Sequence, residues 1–225
     1  TTALPKPLVP IGDEHVILDI VLEQLAARGF TSVTIAINHL GHLIEAYVGS
    51  GQRWGLVIDY AYETTPLSTV GPLFTITDRL PETFLVMNGD IITSLPFDEL
   101  LTEHTAADRP LTVATSKRES VIEFGVLDID NDAISGFTKK PALSYHVSMG
   151  VYAMTRATVA DYPPGLSYGF DQLILDLLAK GTPPTSYAFD GLWMDIGRPR
   201  DYDDVNERFA EIRPELFPQP WRLAV

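Results

Sequence analysis

The chain predicts an α/β fold: a Rossmann-like, mixed but mostly parallel sheet with helices on both faces. Three observations carry that reading. Short β-branched or apolar runs alternate with segments of helical spacing. This repeated β–α order calls for crossover connections, whose helices cover both faces of a sheet. The 225 residues, 45% hydrophobic, can bury a large core, and with no polar linker or repeat they are expected to form one domain over residues 1–225.

The elements follow in order. Residues 5–10 carry three prolines around Lys6 and read as a stiff, extended rail. Residues 14–28 place Val16, Ile17, Ile20, Val21, Leu25 and Ala26 at helical spacing, with Gly29 as the stop. Residues 31–38 are β-branched and read as a buried strand. A helix is expected over 39–48, a strand over 56–62 and a short helix over 69–79. The apolar run 84–87 stops at Asn88-Gly89-Asp90. A helix over 96–105 and a strand over 111–115 continue the alternation. Beyond Phe124 the pattern shifts to shorter, partly antiparallel strands over 124–129, 134–139 and 146–154. A helix over 170–179, a strand over 185–189 and a closing helix over 201–212 complete the series. The Pro-containing tail 214–225 reads as irregular.

Composition narrows the function. Thirty acidic against sixteen basic residues give a net charge of −14, a surface that repels nucleic-acid backbones. A few lysines aimed into a cleft with a divalent cation can still reverse the sign locally for a small phosphorylated ligand. The chain has no cysteine, so disulfides, thiolate metal sites and a Cys nucleophile are excluded. No apolar run is long enough to span a bilayer and the first residues lack a secretion-signal layout, so a cytoplasmic location without membrane attachment is expected.

Several short motifs carry candidate chemistry. Asp90 follows a hydrophobic strand, and ligands of open α/β sheets bind beyond the carboxyl ends of strands. A carboxylate there can hold Mg²⁺, and Gly89 lets backbone approach a ligand; Asn88-Gly89 is equally an ordinary turn pair. Asp195, between apolar residues in Trp193-Met194-Asp195-Ile196-Gly197, is costly to bury unpaired and could share that cation, or pair with Arg198 or Arg200. Lys6 is held as a phosphate ligand or is simply solvated, and the same choice applies to Lys139-Lys140-Pro141. The glycines of residues 49–55 follow a helix and precede a strand, so they read as a loop rather than a dinucleotide fingerprint. His39 and His42 lack further metal-ligand spacing and read as surface residues.

Taken in order, these segments resemble the sugar-1-phosphate nucleotidyltransferases (sugar-nucleotide pyrophosphorylases), most closely the mannose- or heptose-1-phosphate guanylyltransferase type. Pro5-Lys6-Pro7-Leu8-Val9-Pro10 is similar to the second half of that family's signature. Leu67-Ser68-Thr69-Val70-Gly71 is similar to its nucleobase loop, with Ser68 at a usual glycine. Asn88-Gly89-Asp90 resembles its first metal motif, and Trp193 to Gly197 the segment with its second metal acid. Phe124-Gly125-Val126 resembles a sugar-contacting motif. Lys139-Lys140-Pro141 is similar to Glu-Lys-Pro, with Lys139 replacing the acid, and Ser148 stands where the family often has Asn. The family's opening strand and Gly-Gly-x-Gly-Thr-Arg loop have no counterpart here, and the expectation is that the segment carrying them precedes Thr1 in the protein.

The resemblance implies a nucleotide-diphospho-sugar transferase fold and transfer of a nucleotidyl group from a nucleoside triphosphate to a sugar-1-phosphate. It implies Mg²⁺ on Asp90 and Asp195, Lys6 at the triphosphate, and Leu67, Gly71, Asn88, Gly89, Gly125, Lys140 and Ser148 at the substrates, in a chain that could form a homodimer. Two alternatives stand beside it. A catalytically inactive sugar-nucleotide sensor would share the motifs. A nucleotide-sugar-dependent glycosyltransferase would place an Asp-x-Asp pair after the central strand, where Asn88-Gly89-Asp90 stands.

Overall fold

The computed structural model describes residues 4–197 and 199–217, the side chains of residues 199 and 200 excepted. Its strands are β1 (Pro10–Ile11), β2 (His15–Val16), β3 (Ser32–Ile37), β4 (Val57–Tyr62), β5 (Thr83–Met87), β6 (Ile91–Thr93), β7 (Leu111–Val121), β8 (Gly125–Asp130), β9 (Ala133–Lys139), β10 (Ala142–Thr155), β11 (Thr185–Ala188) and β12 (Trp193–Asp195). Its helices are α1 (Ile17–Ala27), α2 (Gly41–Val48), α3 (Gly71–Thr75), α4 (Phe97–Ala107), α5 (Ala157–Ala160), α6 (Phe170–Ala179) and α7 (Pro199–Leu216).

The central sheet has the order β11-β7-β10-β5. β10 runs antiparallel to both β5 and β7, and β11 runs parallel to β7. Three of the four strands therefore point one way, as the β–α alternation predicts, with β10 inserted against the grain. Successive residues of β10 face opposite sides, as strand geometry requires. Met149, Val151 and Ala153 pack with Val21 and Leu25 of α1 and Phe97 and Leu100 of α4. Tyr152 and Met154 pack with Phe74 of α3 and Phe170, Leu173 and Leu177 of α6. Helices thus cover both faces.

Beside this sheet lies a parallel pair, β3 and β4. Among the described residues β3 pairs only with β4, and β5 only with β10. β3 and β5 face one another across a cavity of about 610 Å³ lined by both strands and by Val21 and Leu25 of α1. Pro7, Thr69, Met87 and Gly89 also line this slot. The flank it leaves open explains a correction. The segment 31–38 was expected to be buried throughout, but Ser32, Thr34 and Ala36 are exposed.

Other expectations need adjusting. The helix expected over 14–28 starts at Ile17, because residues 15–16 pair with 10–11 in a small hairpin turned through Gly12 at φ +60°. Asp19 then caps the start, its carboxylate accepting the Val16 N–H at 2.9 Å. The Pro-rich rail is not fully extended. Lys6–Leu8 close a 3₁₀ turn in which the Leu8 and Val9 N–H groups donate to the carbonyls of Pro5 and Lys6, a turn the fixed φ of proline also allows. The closing helix runs on through Pro214 to Leu216, so the first three residues of the expected irregular tail are helical. Residues 218–225 and Arg198 lie outside the described residues.

Candidate active site

Two short strands with no periodic signature set the geometry. β12 pairs antiparallel with β6, opposing Asp195 to Ile91. The Ile196 N–H donates to the Asp90 carbonyl at 2.9 Å. The turn that ends β5 at Asp90 and the segment carrying Asp195 are thereby locked side by side, although 105 positions separate them in the chain. Burial of Ile92 and Ile196 with Val205 and Phe209 of α7 anchors the pair on one side, and Ile91 packs on the other side with Met149 and Val151.

The two acids feel each other. Burial raises the Asp195 carboxyl above its usual range, and the negative charges of Asp90 and Asp201 raise it further. Lys6 and the Gly197 N–H act in the opposite direction. Lys6 reaches the same place: its Nζ lies 3.5 Å from Asp90 Oδ2. The 3₁₀ turn that carries it rests on Gly89, where an added Cβ would come 3.2 Å from the Pro7 side chain.

From Asp90 the site extends along β10. The Asn88 N–H donates to the Gly150 carbonyl at 2.9 Å. Gly150 has φ +71°, and an added Cβ would lie 2.7 Å from both Asn88 Nδ2 and Ile91 Cδ1, so only glycine suits the position. The Gly150 N–H approaches Ser148 Oγ at 3.3 Å, and Ser148 donates to the Tyr152 hydroxyl at 3.0 Å. A break of register between Ser148 and Tyr152 in the β7–β10 ladder frees this stretch from regular pairing. Trp193 Nε1 donates to the Met149 carbonyl at 3.0 Å, tying β12 to the same turn, and the Arg118 guanidinium lies 4.7 Å over its ring.

The loop 67–71 joins through aromatic stacking. Tyr152 stacks on Phe170 with centroids 3.5 Å apart, and the Phe170 N–H donates to Thr69 Oγ1 at 3.1 Å. The backbone of Leu67 and Gly71 is already used. The Leu67 N–H donates to the Glu63 carboxylate, its carbonyl accepts the Tyr168 N–H, and Val70 and Gly71 donate to the Tyr168 carbonyl. Ser68, at the tip, takes φ +64°. That left-handed backbone accounts for the glycine usual at this position in the resembling family.

Two predicted positions lie apart from this cluster. Gly125 is the first residue of the exposed hairpin β8–β9 and faces Lys139 across it. Lys140 follows the hairpin at φ +46°, with its Nζ 2.7 Å from the Glu123 carboxylate. The structure therefore brings together Lys6, Asn88, Gly89, Asp90, Ser148 and Asp195, and connects Leu67 and Gly71 to them through Tyr152 and Phe170. Sequence reasoning named the segments that carry Gly150 and Trp193 but gave neither residue a part in holding the site together, and it missed Tyr152 altogether.

The donor set fits a small hard cation. Mg²⁺ takes one or two carboxylates and completes its shell with water and substrate phosphates. Two neighbouring acids, one of them raised above its normal range by burial and then by the charge of the other, suit that pattern. Among the described residues no group of three or more His, Cys, Asp or Glu forms a self-sufficient metal cage.

A family model described as "Nucleotidyl transferase" matches residues 1–212. The mannose-1-phosphate guanyltransferase of Schizosaccharomyces pombe is 30% identical over 211 residues, covering 90% of this chain and 58% of the relative. The mannose-1-phosphate guanylyltransferase catalytic subunit beta of Dictyostelium discoideum is 31% identical over 209 residues, with 90% and 58% covered. The chain thus spans a little under three fifths of the length of these curated relatives. Among solved structures, HddC from Yersinia pseudotuberculosis complexed with GMP-PN superposes with a TM-score of 0.71 at 24% identity, covering 93% of this chain and 92% of that one.

Proposed function

The chain belongs to the nucleotidyl transferase family, and from that premise we propose that it transfers a nucleotidyl group from a nucleoside triphosphate to a sugar-1-phosphate. The observation that carries the proposal is the convergence of Lys6, Asp90 and Asp195. Guanylyltransferase relatives make GTP and mannose-1-phosphate the first pair to test.

The reaction is an in-line displacement. A phosphate oxygen of the sugar-1-phosphate forms a bond to the α-phosphorus, the bond from that phosphorus to the bridging oxygen breaks, and pyrophosphate leaves with the electron pair. Such chemistry needs positioning and charge neutralisation rather than a protein nucleophile. Asp90 and Asp195 would hold Mg²⁺, which when bound neutralises phosphate charge. Lys6 places a cation beside Asp90, where the triphosphate would arrive. Asn88 and Gly89 offer close backbone approach, Ser148 faces the sugar side, and the 67–71 loop flanks the base with Ser68 at its tip. Gly125 and Lys140, on the hairpin away from the acids, would join the sugar-phosphate side only if Lys140 left Glu123 for the ligand.

The slot between β3 and β5 supports one addition. Two strand edges that have no partner among the described residues, set around an apolar cavity, suit a further strand of the same protein. Pro7, Thr69 and Gly89 line the same cavity, so a loop joined to such a strand would lie beside the triphosphate.

The test is pyrophosphate release by the full-length protein, with each of the four nucleoside triphosphates against mannose-, glucose-, heptose- and N-acetylhexosamine-type 1-phosphates. Release that needs one sugar phosphate, one triphosphate and Mg²⁺ together is expected. Release independent of the sugar phosphate would contradict the reading.

A further inference from the structure

The hairpin β8–β9 and the far halves of β7 and β10 form an arm, residues 117–146, that is exposed along almost its whole length. Of the fifteen large apolar side chains exposed among the described residues, eight fall between Val121 and Tyr145. That concentration is a patch rather than normal scatter.

The patch has one face. Leu127 opposes Phe137 and Ile129 opposes Ile134 across the hairpin. A register shift at Asp128/Ile129 leaves Ser135 as the extra residue of β9. Without it Ile134 and Phe137, three apart, would point to opposite sides. The bulge brings both to the side of Leu127 and Ile129. The reverse side carries Asp128, Asp130, Gly136 and Thr138, with Val126 and Ala133 as its apolar members. Ile129, Ile134 and Phe137 are 69%, 68% and 65% exposed. An amphipathic hairpin with its apolar side turned to water is a surface built to be covered.

Charge and area point to what covers it. Residues 124–138 contain three aspartates and no cation, so the tip is negative. The root, residues 117–123 with 139–140, carries four cations against two glutamates, a positive patch on a chain of net charge −14. A two-fold axis between two copies would lay each acidic tip against the other's basic root, Asp132 near Lys139, with the apolar faces in contact. The face, with Phe124 beside it, offers on the order of 600 Å², and a polar rim would bring it to the roughly 800 Å² per partner of a stable interface.

We propose that the apolar face of the β8–β9 hairpin is a self-association surface and that its occupant is the same hairpin of a second copy. Sedimentation velocity of the full-length protein tests this without reference to catalysis. The unaltered protein should sediment as a dimer. Ile129→Lys and Ile134→Lys should each weaken association by about 100-fold, with far-UV circular dichroism unchanged because both side chains are exposed. Lys139→Glu should weaken the dimer, and adding Asp132→Lys should restore it. A monomer at micromolar concentrations, a dimer indifferent to both isoleucine variants, or a Lys139→Glu defect that the charge swap leaves uncorrected would overturn the proposal.

Discussion

The Lys6 ammonium lies 3.5 Å from the Asp90 carboxylate, so a cation is held at the mouth of the acidic pair before any ligand arrives. The Lys6 side chain is 54% exposed, and an ion pair this open contributes less than about 1 kcal/mol to stability. Its value is positional. Lys6→Ala should leave the melting temperature nearly unchanged while lowering turnover by about 100- to 1000-fold. Parallel thermal melts and pyrophosphate-release rates check this, and a variant that melts early with normal turnover would show a structural lysine.

Gly150 supports Asn88 from beneath. Gly150→Ala forces a Cβ to within 2.7 Å of Asn88 Nδ2 and Ile91 Cδ1 at a backbone angle of +71°. The expected cost is about 2 kcal/mol or more, read from denaturant unfolding, with a loss of activity larger than the residual fold population explains.

Ser68 holds φ +64°. Ser68→Gly should stabilise the protein by about 0.5–1 kcal/mol, because the left-handed conformation suits glycine. A differential melt against the unaltered protein decides it, with destabilisation as the contrary result.

His104 supplies a pH dependence far from the site. Its ring, 1% exposed as a residue, bonds the hydroxyls of Thr112 and Thr155, and burial lowers its proton affinity. As pH falls, the unfolded chain takes up the proton first. This contribution to stability is therefore intact above about pH 6.5 and is lost below it. His104→Gln, which cannot titrate, should flatten the decline in melting temperature between about pH 7 and pH 5; an unchanged decline would assign it to other groups.

The fold was largely legible because long elements carry periodicity. α6 begins and ends where its spacing predicts, and β3 and β4 fall within a residue of expectation. The errors arose where tertiary contacts decide. Residues 91–93 and 193–195 are too short to show a period, and each is a strand only because the other pairs with it. That pairing sets Asp195 beside Asp90, so the motifs named both acids but could not show what joins them. The burial of β3 was misjudged because composition reports a strand's preference for cover, whereas the neighbours determine whether cover exists. Lys140 shows a further limit: its pairing with Glu123, seventeen residues earlier, follows from the hairpin and from no motif.

The direct test of the central claim is pyrophosphate release with GTP, mannose-1-phosphate and Mg²⁺ by Asp90→Asn and Asp195→Asn. If the two carboxylates share one cation, each variant should lose about 100-fold or more of turnover while keeping its fold, and the double variant should lose little beyond the worse single one. Turnover near that of the unaltered protein in either single variant would contradict the account.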